Sequence, residues 1–142
     1  MLLNFKMENF RSFKDETFFT MLSSKQKTHN DYVIDKSVNG NKLRVLPMTV
    51  IYGANASGKS NFVRALDFMR RVTLMGTEAI RYNDRFFRID PACKEEPGVF
   101  QMDFIAEKTI FFIWLCDRLL DTRISRRMAL PFRFFWNGDL HF

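Results

Sequence analysis

The chain has 142 residues, 46% of them hydrophobic, with 17 phenylalanines and a formal net charge of +6. That length supports one domain with a real core, and that apolar content excludes a chain disordered by composition. The positive charge suits a polyanionic partner such as nucleotide or DNA and is equally compatible with a mildly basic surface.

In chain order, Leu3, Phe5 and Met7 alternate with Asn4, Lys6 and Glu8, which predicts a half-buried strand. Asn9-Phe10-Arg11-Ser12-Phe13 follows as a turn, and residues 17–21 are a second β-like run, so residues 2–21 are expected to pair as a hairpin. Residues 23–41 are polar, with Asn39-Gly40-Asn41 as a turn signal. Residues 43–46 lead through Pro47 into Met48-Thr49-Val50-Ile51-Tyr52, a short apolar run read as a buried strand.

Gly53-Ala54-Asn55-Ala56-Ser57-Gly58-Lys59-Ser60 comes next and reads G-x-x-x-x-G-K-S, the phosphate-binding Walker A pattern. Glycine lets the chain wrap closely around an anion, and the loop delivers its amides and a helix N-terminus to phosphate oxygens. Lys59 is expected to reach the β- and γ-phosphates and the Ser60 hydroxyl to hold Mg²⁺. Phe62, Leu66, Met69 and Thr73 recur at helical spacing beside Val63 and Val72, so a helix should follow the loop and fade near Gly76. The bland alternative is an ordinary glycine turn before a helix, which the flanking strand and helix patterns disfavour. Pro91 and Pro97 break the mixed residues 77–98, and Val99, Gln101 and Asp103 then alternate with Phe100, Met102 and Phe104 as a strand exposed on one face.

Strand, turn and loop together resemble the ABC-type ATPases of the SMC, Rad50, RecF and OLD group, closest to the AAA-type subgroup related to OLD proteins. The resemblance rests on Asn9-Phe10-Arg11-Ser12-Phe13 after the first strand, on Asn55 and Ser57-Gly58-Lys59-Ser60-Asn61 in the loop, and on their separation of about forty residues. It covers residues 1 to 107. It implies an α/β fold, the incomplete first lobe of a P-loop NTPase head with an N-terminal β-hairpin. It implies ATP and Mg²⁺ held by Gly53, Asn55, Ala56, Ser57, Gly58, Lys59, Ser60 and Asn61, with Arg11 near the nucleotide. By the same resemblance such heads dimerise around ATP and act on DNA or in phage defence; a cytoplasmic location is expected from the two cysteines, read as reduced thiols.

Several elements of that family are missing. Residues 110–117 form an apolar run ending in Asp117, but Arg118 stands where a catalytic glutamate belongs, so a buried strand or short helix is the better reading than a Walker B strand. Gln101 reads as a solvent-facing strand residue rather than a Q-loop glutamine. His29 and His141 read as surface histidines, and Lys25-Gln26-Lys27 and Arg126-Arg127 as solvated charge clusters. No catalytic residue is assigned, so the chain is expected to be a truncated ATPase lobe with little turnover of its own. The alternatives are a non-catalytic module binding DNA or a full-length partner head, and a small kinase or GTPase, the last without an Asn-Lys-x-Asp string.

Residues 108–142 are read as a separate, atypical segment. Residues 1–107 contain eight Lys and six Glu, whereas residues 109–142 contain neither and end on unpartnered aromatics. One reading is a frameshift near Lys108, since codons compatible with Thr109 onward, read one base later, can spell RYFLYGFAID; the alternatives are an idiosyncratic natural C-terminus or a truncated chain. Cys93 and Cys116 lack metal-ligand spacing and read as reduced thiols. The N-terminus has no signal-peptide pattern, and the longest apolar run is too short to span a bilayer, so no membrane partner is expected.

Overall fold

Alternating apolar residues build the first strand, β1 (Leu2–Glu8), whose Leu3, Phe5 and Met7 are buried while Glu8 is exposed. In the computed structural model, which describes residues 1–24, 30–38, 40–76, 85–116 and 132–135, β1 pairs antiparallel with β2 (Thr17–Thr20), so the expected N-terminal hairpin is present. The next hairpin joins β3 (Ile34–Val38) to β4 (Asn41–Val45) around Gly40, whose φ of 81° lies in the left-handed region that glycine adopts without strain. β3 falls inside a stretch read from sequence as polar connection. Its Asp35, Lys36 and Ser37 are all exposed, and the strand exists because β4 pairs with it from Ile34↔Val45 to Val38↔Asn41.

Helix α1 (Lys59–Met75) stops at Gly76, which has φ 73° and whose amide bonds the Val72 carbonyl at 3.0 Å. Its buried residues are Phe62, Ala65, Phe68, Met69 and Val72. The core stripe is therefore rotated from the expected one: Val63 is exposed, Leu66 only partly buried, and the Thr73 hydroxyl donates back to the Met69 carbonyl at 2.8 Å.

β5 (Val99–Ala106) lies between β1 and β6 (Thr109–Cys116), and β7 (Phe132–Phe135) closes an all-antiparallel sheet of order β2-β1-β5-β6-β7. Pairing of β5 with β6 runs unbroken from Val99↔Cys116 to Ala106↔Thr109. The apolar run 110–116 is thus a strand, with Ile113 and Leu115 fully buried, and it pairs only within this antiparallel sheet. Asp117, Arg118, Arg126, Arg127, His29, His141 and Lys25-Gln26-Lys27 lie outside the described residues.

α1 packs its apolar stripe on this sheet. Phe5, Met7, Phe10, Phe100, Ile113 and Leu115 meet Phe62, Ala65, Phe68, Met69 and Val72 in one cluster. Its aromatic contacts are mostly edge-on or tilted, as ring quadrupoles favour: Phe10 with Phe100 at 5.4 Å, Phe68 with Phe100 at 5.0 Å, and Phe5 with Phe62 at 5.9 Å. This explains where many of the phenylalanines go. A register shift between Leu2 and Asn4 sends Leu2 toward that cluster and Leu3 into a second one. There Leu3 and Ile105 pack with Val38, Leu43 and Val45 of the β3–β4 hairpin.

Met48 to Tyr52 depart from expectation. They form no strand and are exposed, Met48 at 72% and Tyr52 at 90%. The physical reason is the lack of a neighbour. The last backbone bond before them is the Leu46 amide to the Met21 carbonyl at 2.7 Å, and among the described residues no strand lies alongside to accept their amides.

Candidate functional site

The phosphate-loop pattern runs from the exposed stretch into the start of α1, and of its eight residues only Gly58 is buried. Gly58 caps α1 with φ 94°, and Ala56 two residues earlier has φ 65°. Successive sign changes of φ turn neighbouring amides toward one side and make a concave nest suited to an anion. Among the described residues the amides of Gly58, Lys59 and Ser60 have no backbone acceptor, because the first internal bonds of the helix run from Asn61 and Phe62 to the Gly58 carbonyl at 2.9 and 3.0 Å. No side chain caps this end either. Three amides without a backbone acceptor therefore lie at the positive end of a 17-residue helix.

Lys59 folds back over the loop. Its Nζ donates to the Gly53 and Ala54 carbonyls at 2.6 Å each and approaches Ser57 Oγ at 3.5 Å. The ammonium is thus held above the loop by groups it can exchange for stronger acceptors such as phosphate oxygens. Ser60 is exposed on the first turn, and Asn55 is exposed in the loop. The donor types suit a polyphosphate: amides without backbone acceptors, an ammonium and a hydroxyl lie within one short stretch, and no carboxylate belongs to the pattern.

The two loop glycines are not equivalent. A Cβ on Gly53 would meet only Ser57 Oγ at 2.9 Å, the tip of an exposed side chain. A Cβ on Gly58 would lie 2.9 Å from Ser12 Oγ and 3.3 Å from Phe13 Cζ, and the backbone there is already left-handed. The turn after β1 therefore presses on the loop, a contact no local pattern announces. Asn61 is drawn into it: its Nδ2 donates to Ser12 Oγ at 3.0 Å, while its Oδ1 accepts from Arg64 at 3.1 Å.

That turn is itself firmly held. Asn9, only 3% exposed and at φ 49°, donates from Nδ2 to the Cys93 and Glu96 carbonyls at 2.8 and 2.9 Å and accepts from the Phe87 amide at 2.9 Å. Phe10 and Phe13 exchange backbone bonds of 2.8 Å in each direction. Arg11, at φ 53°, donates its amide to the Arg85 carbonyl at 2.7 Å, and its guanidinium lies 5.7 Å from the Phe10 ring centre. Arg85 stacks in turn on Phe68 at 4.3 Å. Sequence reading singled out Arg11 of this turn and missed Asn9, Ser12 and Phe13 as parts of the loop's surroundings.

Gln101 lies inside β5 opposite Lys6 and Trp114, in the middle of the sheet rather than on a loop. Cys93 is buried, which pushes its thiol pKa up and leaves it unreactive. Among the described residues no group of His, Cys, Asp and Glu could hold a metal, and no helix is long and apolar enough to cross a membrane.

Residues 48–111 match the family model described as "AAA domain, putative AbiEii toxin, Type IV TA system". The match supports an AAA-type ATPase domain. It spans the exposed run, the phosphate loop, α1, β5 and the start of β6. No curated protein and no solved structure matches the chain. The mixed α/β architecture with antiparallel sheets is compatible with part of such a domain.

Proposed function

We propose that the chain binds Mg-ATP through Gly53 to Ser60, as the N-terminal lobe of an ABC-type ATPase of the SMC, Rad50, RecF and OLD group, catalytically incomplete by itself. The observation that carries this reading is the start of α1: left-handed Gly58, amides of Gly58, Lys59 and Ser60 without backbone acceptors, and Lys59 held over the loop. In this assignment the amides of Gly58, Lys59 and Ser60 bind phosphate oxygens, Lys59 neutralises the β- and γ-phosphates, and the Ser60 hydroxyl is supplied to Mg²⁺. Gly53 and Ala56 shape the loop, and Asn55 and Asn61 border it. Arg11, on the turn after β1, is assigned a place near the nucleotide. Bound metal would neutralise phosphate charge. The nucleotide-binding lobe is assigned to residues 1–107, with β6 completing its sheet beside β5, and the segment from 108 onward is assigned no part in nucleotide binding. The cellular role follows the same line: DNA transactions or phage defence, as part of a dimeric head.

Nucleotide-dependent stabilisation tests this. At a hundredfold excess over Kd, Mg-ATP should stabilise the full chain by about 2.7 kcal/mol, and Lys59→Ala should remove the gain. A chain that gains nothing from Mg-ATP, or a Lys59→Ala variant that gains as much as wild type, overturns the reading. The net charge of +6 favours a second reading, a DNA-binding module without nucleotide function. DNA affinity that survives Lys59→Ala in a chain indifferent to nucleotide would select it.

A further inference from the structure

We infer that Ser12 is a positioning residue for the phosphate loop, acting through Gly58 and Asn61. This inference rests on the nucleotide-binding reading above. Ser12 and Asn61 are 49 positions apart in sequence, yet Asn61 Nδ2 donates to Ser12 Oγ at 3.0 Å. The amide of Asn61 is oriented from its other side, where Oδ1 accepts from Arg64 at 3.1 Å. The same hydroxyl oxygen sits where a Cβ on Gly58 would come within 2.9 Å. One small side chain therefore bonds the first turn of the helix and occupies the space beside the glycine that turns the loop.

The base from which Ser12 acts is rigid. Buried Asn9 ties the turn to residues 87–96, Phe10 and Phe13 close it, and the Arg11 amide fixes it to the Arg85 carbonyl. The contact itself is exposed, and an exposed hydrogen bond contributes little to global stability. Its consequence lies in geometry. Gly58 must keep its left-handed conformation for the amides of Gly58, Lys59 and Ser60 to point one way, and a loop free to leave that conformation binds more weakly by the fraction of time it is misaligned. Because Asn61 is the donor, the Ser12 proton is left to donate outward beside the loop.

The test measures affinity and nucleotide-free stability of the full chain together. Ser12→Ala should weaken Mg-ATP binding about fivefold to tenfold while the melting temperature without nucleotide stays unchanged. Mg-tripolyphosphate, which has no base, should lose affinity by the same factor, since the effect lies at the phosphates. Asn61→Ala should give a similar loss, and the double variant should lose no more than either single one, because both remove one contact. Affinity of Ser12→Ala within twofold of wild type overturns the inference, and so do single losses that multiply in the double variant. Failure of the underlying reading looks different: wild type then binds neither ligand, or Lys59→Ala binds both as wild type does, and the inference falls with it.

Discussion

Phe62, Ala65, Phe68 and Met69 of α1 are buried, whereas Met48, Val50, Ile51 and Tyr52, which lead through the loop into the same helix, are exposed. The two stretches are comparably apolar, so composition does not separate them. What separates them is the neighbour. The helix stripe lies against a sheet whose facing residues, Phe5, Met7, Phe100, Ile113 and Leu115, are themselves buried. The leading run has no strand beside it among the described residues. The difference teaches that the fold is anchored from the antiparallel sheet through α1, and that the loop before α1 is flanked by its helix and by the turn after β1.

The sharpest way to break that comparison is to delete one large side chain from each region. Phe100 is fully buried and touches the rings of Phe10 and Phe68, so Phe100→Ala should cost about 3–5 kcal/mol through lost burial and an unfilled cavity. Tyr52→Ala, at a residue 90% exposed, should stay within about 0.5 kcal/mol. Denaturant titration of both variants is the check. A cost for Tyr52→Ala near that of Phe100→Ala would mean that the leading run is covered in solution.

How much of this was readable beforehand follows the same division. The alternation in β1 and the stop of α1 at Gly76 are local signals, two-residue period and left-handed glycine, and both stand in the structure. The phosphate-loop pattern was legible because its residue types are contiguous. β3 was hidden because three successive exposed polar residues carry no period, and only pairing with β4 makes them a strand. The run 48–52 misled for the converse reason: strand-forming residues supply propensity, and pairing requires a partner. The stripe on α1 was placed about one residue off, since Leu66 and Thr73 fit the helical period nearly as well as Ala65 and Phe68. Ser12 and Asn9 were out of reach because their contacts join segments far apart in sequence.

The loop sits between the two regions, and its glycines test which one holds it. Gly58→Ala places a Cβ against Ser12 and Phe13 at a left-handed φ, so it should lower stability by about 1–2 kcal/mol and abolish stabilisation by Mg-ATP. Gly53→Ala meets only a movable serine tip at ordinary φ, so nucleotide-free stability should stay within about 0.5 kcal/mol of wild type. Thermal melts with and without nucleotide separate the cases. Equal losses at both glycines would show that the turn after β1 does not brace the loop.

The smallest expected effects are electrostatic, and they should carry opposite signs in the open and the packed parts of the molecule. Asp90 accepts from Lys14 at 2.6 Å on the surface, and that bond, helped by the Ala92 amide, holds its carboxyl below the usual range. Asp103 sits within β5, where burial pushes its carboxyl up, opposed by the bond from Asn4 at 2.9 Å. The lowered group stabilises the fold above the ordinary carboxylate pKa of about 4 and loses that contribution as pH falls through its folded value. The raised group behaves in reverse: its contribution is present below about 4 and is lost as pH rises through its folded value, so at neutral pH its charge is a burden. Wild type should therefore lose stability relative to Asp90→Asn as pH is lowered from 7 toward about 4 and below, and gain stability relative to Asp103→Asn over the same descent. Melting curves of the three proteins across that range give the two slopes. Slopes of the same sign would place Asp103 in a setting as open as that of Asp90, and the sheet around it could not be as closely packed as β1, β5 and β6 make it.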